Sequence, residues 1–143
     1  MDDLRDIQGF INKQKQNLSI GTASVIVKDN KVLMVKNVES NYWSFPGGHL
    51  HKEESLVEGL KREVFEEIGK QITIIKGPVF YQYKLNQSLN LILFFYLCTI
   101  QNDDGIYNSN NDEVKNAKWF EIGKFPKEIY ENTQIILEHF LSK

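Results

Sequence analysis

The sequence predicts an α+β fold in which a central mixed β-sheet is sandwiched between helices, as α/β/α. Three observations carry this. Segments rich in β-branched and aromatic residues outnumber the helical ones. The most clearly amphipathic stretch, between Ser55 and Gly69, lies between strand-like segments. Helical patterns at the two ends of the chain offer cover for opposite faces of one sheet.

In chain order, residues 2–16 place Leu4, Ile7 and Ile11 at three- and four-residue steps and read as a helix. Its apolar face suits packing on the domain, or on a second copy of the chain as a homodimer. Residues 20–28 are rich in β-branched side chains and read as a strand. Asp29-Asn30 is a turn, and Lys31–Lys36 returns as a second strand. Residues 37–41 form a polar loop, and Tyr42–Phe45 is a short extended piece leading into Pro46-Gly47-Gly48.

The stretch after Ser55 has two faces. At about 100° per residue, Val57, Leu60, Val64 and Ile68 share a narrow arc that should face the core. Ser55 with Glu58 has capping-box spacing, and Gly69 is a natural helix stop. Gly59 falls in the acidic sector, where it would leave the backbone bare beneath an ion or phosphate. Residues 71–76 then read as a strand, broken by Gly77-Pro78. Residues 79–85 and 89–100 are two further strands joined at Asn86-Gln87-Ser88. The second is almost wholly apolar, as expected for a strand in the middle of a covered sheet. Residues 101–111 are a polar loop whose Asp103-Asp104-Gly105 lacks calcium-loop spacing. A last strand surrounds Lys118-Trp119-Phe120, and Pro126 is placed to open a final helix containing Ile129, Ile135, Ile136, Leu137 and Phe140.

A chain of 143 residues with 41% hydrophobic residues suits one domain with one sizeable core, here residues 1–143 with 1–16 as a helical extension. A net charge of −2 gives no overall basic field for a nucleic acid polymer. The longest apolar stretch is too short to span a bilayer, so no membrane partner is expected. The N-terminus, with Asp2, Asp3 and Asp6, has no signal-peptide pattern. The single cysteine, Cys98, sits in an apolar run, which fits a buried thiol and a cytoplasmic location.

The chemistry centres on Glu63, Glu66 and Glu67. At i, i+3 and i+4 they crowd one side of a helix, where like charges repel. A chain that clusters them gives them something positive to hold. Hard cations such as Mg²⁺ take oxygen ligands and are shared with substrate phosphates.

Gly48, five residues, Glu54, seven residues, then Arg62-Glu63-Val64-x-Glu66-Glu67-x-Gly69 resembles the Nudix box of diphosphate hydrolases. The lead-in Trp43-Ser44-Phe45-Pro46-Gly47-Gly48 is similar to that family's. Two positions depart from the pattern: Lys70 stands where an apolar residue is usual, and Glu53-Glu54 replaces Gly-Glu. The resemblance implies the α/β/α sandwich with a mixed sheet. It also implies a Mg²⁺ (or Mn²⁺) ion held by Glu67, with Glu63, Glu66 and the carbonyl of Gly47 as further ligands. Glu63 or Glu66 would serve as base, and Arg62 would orient a carboxylate. Glu113, six residues before Trp119, matches a loop glutamate that many members use as base or extra ligand, so the base lies in the box or is Glu113. The loop before Glu113 has little apolar content to anchor it, so Glu113 is expected to swing in when substrate and metal arrive. Asp112 is its neighbour. His49, His51 and Lys36 are candidates to touch phosphate, and Tyr42, Tyr81 and Tyr83 to stack on a base.

The resemblance implies hydrolysis of a small-molecule nucleoside diphosphate linked to another group, with the MutT-like cleavage of nucleoside triphosphates favoured. The motifs marking NADH, coenzyme A, ADP-ribose and dinucleoside polyphosphate enzymes are not found. Two alternatives stand beside it: a nucleotide-sensing module without catalysis, and a hydrolase of a non-nucleotide diphosphate.

Overall fold

A computed structural model describes residues 18–84, 90–110 and 112–142. The helix expected over 2–16 and the junction at 86–88 lie outside the described residues. The elements are β1 (Leu18–Lys28), β2 (Lys31–Asn37), β3 (Trp43–Ser44), β4 (Gly47–His49), α1 (Leu56–Ile68), β5 (Ile72–Lys84), β6 (Asn90–Ile100), β7 (Val114–Glu121) and α2 (Thr133–Leu141).

The strands run in the order β3-β2-β1-β6-β5, with β4 paired to β1 and β7 to β2. β1 and β6 are parallel and the remaining pairs antiparallel, so the sheet is mixed as expected. The β1–β2 hairpin turns through Asp29 and Asn30 at φ 52° and 60°. Two successive positive φ values match the twist of the flanking strands, and Asn and Asp tolerate them best after glycine.

Alternation along the strands builds two cores, one on each face. Val32 and Met34 of β2 join Ala23, Val25 and Phe95 beneath Ile136, Leu137 and Phe140 of α2. Leu33 and Val35 join Ile26, Tyr96 and Cys98 beneath Leu60, Val64 and Ile68 of α1. β6 lies between β1 and β5 and feeds both cores, as its apolar run requires. Cys98 is fully buried, and burial pushes its thiol up to about 12. No described helix is long and apolar enough to cross a membrane.

Two expected boundaries are corrected. Gly77-Pro78 does not end a strand: β5 continues through it, with one register shift against β6 just before it and one across it. β5 is an edge strand, where a proline's missing N–H leaves no neighbour unpaired. Pro126 does not open the last helix, which begins at Thr133. Residues 128–129 are recruited by the sheet instead, with Trp43 donating its N–H to Glu128 O at 2.8 Å and bridging to Ile129. Ile129 therefore packs from an extended segment, and Ile135 lies exposed on α2.

Candidate active site

Helix α1 starts and stops where its side chains dictate. Ser55 accepts from the Glu58 N–H at 3.1 Å while Glu58 accepts from the Ser55 N–H at 2.9 Å, a complete capping box. Gly69 ends the helix at φ 71°. Leu60, Val64 and Ile68 are wholly buried and Val57 is half-buried. Burying each of the first three contributes about 2 kcal/mol. Repulsion between like charges at helical spacing costs only about 0.2–0.5 kcal/mol per pair, so packing holds the acids together.

The acidic side divides in two. Glu63 and Glu67 are 7% and 4% exposed. With Glu113 they present oxygens all within 4.8 Å of one another. Glu66 stays outside this group, half-exposed and bound to Arg62 Nη1 at 3.0 Å. Arg62 is the hub of the box. It grips Glu54 through Nε at 2.6 Å and Nη2 at 2.9 Å, reaches Glu63 Oε1 at 2.9 Å and donates to the His49 carbonyl at 3.1 Å. The guanidinium, joined by the His51 N–H, holds the Glu54 carboxyl down at about 2. Arg62 thus binds Glu63, Glu54 and Glu66 at once.

Gly47 and Gly48 place their backbone against the acids. The Gly47 N–H donates to Glu67 Oε1 at 2.8 Å. A Cβ on Gly48 would lie 2.5 Å from the Glu63 carboxyl carbon. Gly59 has a different role from the one its helical position suggested. A Cβ there would meet Leu50 Cδ2 at 2.3 Å, so this glycine admits the Leu50 side chain rather than baring backbone for an ion.

Burial dominates the electrostatics. It pushes the Glu67 carboxyl up to about 8, against the lowering effect of the Gly47 N–H and with help from the nearby acids. It also raises Glu63, opposed by Arg62. Three acids gathered with two of them buried form a donor set of hard oxygens, and Glu63 Oε2 is buried without a protein partner. That chemistry fits a divalent cation such as Mg²⁺.

Glu113 departs from expectation in one respect. The loop before it is anchored, not loose. The N–H groups of Asn108 and Asn110 donate to the carbonyls of Ile68 and Glu66 at 3.1 and 2.6 Å, meeting acceptors that a helix end leaves unpaired. Tyr107 packs on the α1-side core, and its hydroxyl accepts from Trp119 Nε1 at 2.7 Å and donates to Asp103 at 2.8 Å. Asp103 and Asp104 pair with Lys28 and Lys70. Lys70, one of the two departures from the box, is thereby accommodated. Glu113 therefore already stands beside Glu63 and Glu67, its carbonyl held by the Val38 N–H at 2.8 Å.

On the other side of Gly47-Gly48 lies a largely apolar cavity of about 360 Å³, lined by residues that include Phe45, Tyr83, Leu93, Phe95, Tyr130 and Asn132. A groove of about 720 Å³ holds Glu113, Asp112 and His49 and shares Asn37 and Tyr130 with that cavity.

The sequence matches the NUDIX domain family over residues 18–140. The chain belongs to the Nudix family. Its Nudix domain is 29% identical over 126 residues to the m7GpppN-mRNA hydrolase of Saccharomyces cerevisiae, covering 85% of this chain but only 12% of that protein. It is 35% identical over 89 residues to the 8-oxo-dGTP diphosphatase of Buchnera aphidicola, covering 58% of this chain and 62% of the relative. The chain thus spans less than two thirds of either relative. Among solved structures, a UDP-X diphosphatase superposes with a TM-score of 0.73 at 21% identity, over 96% of this chain and 69% of that one. The MutT Nudix hydrolase from Burkholderia pseudomallei superposes with a TM-score of 0.68 at 23% identity, over 85% and 97%. These likenesses show the shared fold, and the α+β sandwich read from the sequence is that fold.

Of the cavity residues in this Nudix domain, sequence reading singled out Tyr83 alone as a base-stacking candidate. Tyr42 packs on Tyr130 at 5.2 Å between ring centroids. Tyr81 packs on Tyr83 at 5.3 Å and lies outside the cavity. Lys36 stands over the Trp43 ring at 5.8 Å. Asn132, Tyr130 and Phe95 were missed. The one local signal was Asn132-Thr133, a polar pair that sits buried. The Asn132 side chain donates to the Tyr83 hydroxyl instead of capping α2.

Proposed function

We propose that this Nudix domain hydrolyses a diphosphate bond in a nucleoside diphosphate linked to another group, MutT-like cleavage of nucleoside triphosphates being favoured. The observation that carries this is the carboxylate set Glu63, Glu67 and Glu113, within 4.8 Å, with Glu113 lining a groove that shares Asn37 and Tyr130 with an apolar cavity. Such a cavity takes a flat apolar ring and leaves polar groups outside. The groove then leads past Asn37 and Tyr130 to Glu113.

In this reading Glu63 and Glu67 would hold the cation, with the Gly47 carbonyl and Glu66 as the further ligands that the box pattern implies. When bound, a divalent ion neutralises phosphate charge and lowers the pKa of water. Arg62 and the Gly47 N–H fix the directions of Glu63 and Glu67, so the donors are in place before substrate arrives. Glu113 lies close enough to orient the attacking water and take its proton, the role Glu63 or Glu66 would otherwise fill. Burial favours a proton on Glu67, which that carboxylate would give up to serve as a ligand.

The Buchnera relative supports the nucleoside triphosphate version. The Methanocaldococcus jannaschii ADP-ribose pyrophosphatase, 24% identical over 85% of this chain, supports the wider class. A sensing module has no need of an intact acid set. The test is a panel of nucleoside triphosphates and X-linked nucleoside diphosphates with Mg²⁺ or Mn²⁺. Release is read by coupling to pyrophosphatase or phosphatase. Chelator-sensitive release is expected. Nucleotide binding with no single-turnover cleavage of any compound would replace hydrolysis by sensing.

A further inference from the structure

Two buried side-chain oxygens among the described residues lack a hydrogen-bond partner in the protein: Thr22 Oγ1 and Glu63 Oε2. They come from distant parts of the chain, yet the sheet register brings them to one place. Thr22 of β1 stands directly opposite Gly48 of β4. Opposite residues of an antiparallel pair project to the same face, with Cβ positions about 5 Å apart. The next residue, Ala23, belongs to the core under α2, so Thr22 faces α1. A Cβ on Gly48 would lie 2.6 Å from Glu63 Oε2. The Glu63 carboxyl thus fills the room a side chain at 48 would take, and Thr22 is that position's cross-strand neighbour.

Thr22 is 1% exposed and Glu63 7%. Leaving a hydroxyl and a carboxylate oxygen unmet at such depth is costly. Neighbouring buried polar atoms with no protein partner are where ordered water is held. A single water joins two oxygens up to about 5.5 Å apart, a span suited to a threonine and a carboxyl seated at the position opposite it. We propose that Thr22 is a positioning residue for Glu63, its hydroxyl and Glu63 Oε2 sharing one buried water beneath Gly48. Arg62 holds Oε1 at 2.9 Å, so the water fixes the second oxygen and with it the plane of the carboxylate. The inference rests on Glu63 serving the proposed cation site. It does not rest on turnover.

Thr22→Val, similar in shape but without the hydroxyl, tests it. In excess chelator the water bridge predicts a fall in Tm of about 3–6 °C, and in separate chelator-free titrations Mn²⁺ binding about tenfold weaker by electron paramagnetic resonance of the free ion. Thr22→Ser, which keeps the hydroxyl, should restore both. An unchanged or raised Tm in chelator would overturn the proposal, because removing a truly orphaned hydroxyl costs nothing. An effect seen only with Mn²⁺ present would also overturn it, making Thr22 an ion ligand. Should Thr22→Val not fold, a high-resolution crystal structure of the unaltered protein decides, since the water must lie within hydrogen-bond distance of both oxygens. Neither readout involves hydrolysis, so a failure here leaves the proposed activity standing. A domain that binds nucleotide without cleaving it would still show the bridge.

Discussion

At the charged end of the site, Glu63 and Glu67 come from one turn of α1 and only Glu113 arrives from elsewhere. At the apolar end, Phe45, Tyr83, Phe95 and Asn132 come from the β3–β4 connection, β5, β6 and the start of α2. The first end is set by spacing within a helix, with Arg62 and the two glycines fixing orientation. The second exists only when four elements meet. The charged end should therefore govern the rate, and the apolar end affinity and choice of substrate.

The largest effect should come from Glu67→Gln. The amide keeps the shape and can still accept from the Gly47 N–H, but it loses charge and ligand strength. Turnover should fall by about 10²-fold or more. The same variant tests the electrostatics. The Glu67 carboxyl is raised from 4.5 to about 8 in the folded protein, so its protonated form favours folding. That contribution is full below about pH 4.5 and is lost as pH rises through about 8. In chelator, Tm should decline over this window, and Glu67→Gln should flatten the decline. Mg²⁺ should restore stability most at the alkaline end. A wild-type rate for the variant would remove Glu67 from the site.

Glu113→Gln is next. Assistance by a general base is typically worth about 10²- to 10⁴-fold, so kcat should drop into that range with KM little changed. Asp112→Asn should stay within about twofold, because Asp112 lines the groove without joining the acids. Equal, small losses from both would return the base to the box.

Tyr83→Ala probes the apolar end. Stacking of a base on an aromatic ring is worth about 1–3 kcal/mol, so KM should rise about tenfold or more while kcat holds. A change in kcat alone would break the proposed division of labour. The smallest effect belongs to Ser55→Ala, which removes the α1 cap and costs about 1 kcal/mol. Tm should fall by about 3 °C, and the rate should stay near normal because Leu60, Val64 and Ile68 still hold the helix.

The same contrast explains what was legible in the sequence. For α1, the cap at Ser55, the stop at Gly69, the buried face and the acid set all follow from residues within a few positions of one another. The two helices of the described chain differ sharply here. Pro126 suggests a helix start by local propensity, but the backbone of Trp43 claims Glu128 and Ile129 for the sheet, and α2 begins only at Thr133. Gly77-Pro78 likewise reads locally as a break, yet it is absorbed by an edge strand.

Local order along the chain was enough to determine the α+β class, the amphipathic helix and the clustering of Glu63, Glu66 and Glu67, because helical periodicity acts over a few residues. Glu113 is named by its resemblance to a loop glutamate of the family, but its place beside Glu63 and Glu67 depends on Asn108 and Asn110 capping the end of α1. The role of Gly59 and the whole apolar cavity were decided by tertiary structure. Each depends on a side chain brought from another element: Leu50 against Gly59, and Asn132 on Tyr83. Such contacts have no fixed spacing in sequence, since the sheet register and the packing of helices on its two faces create them.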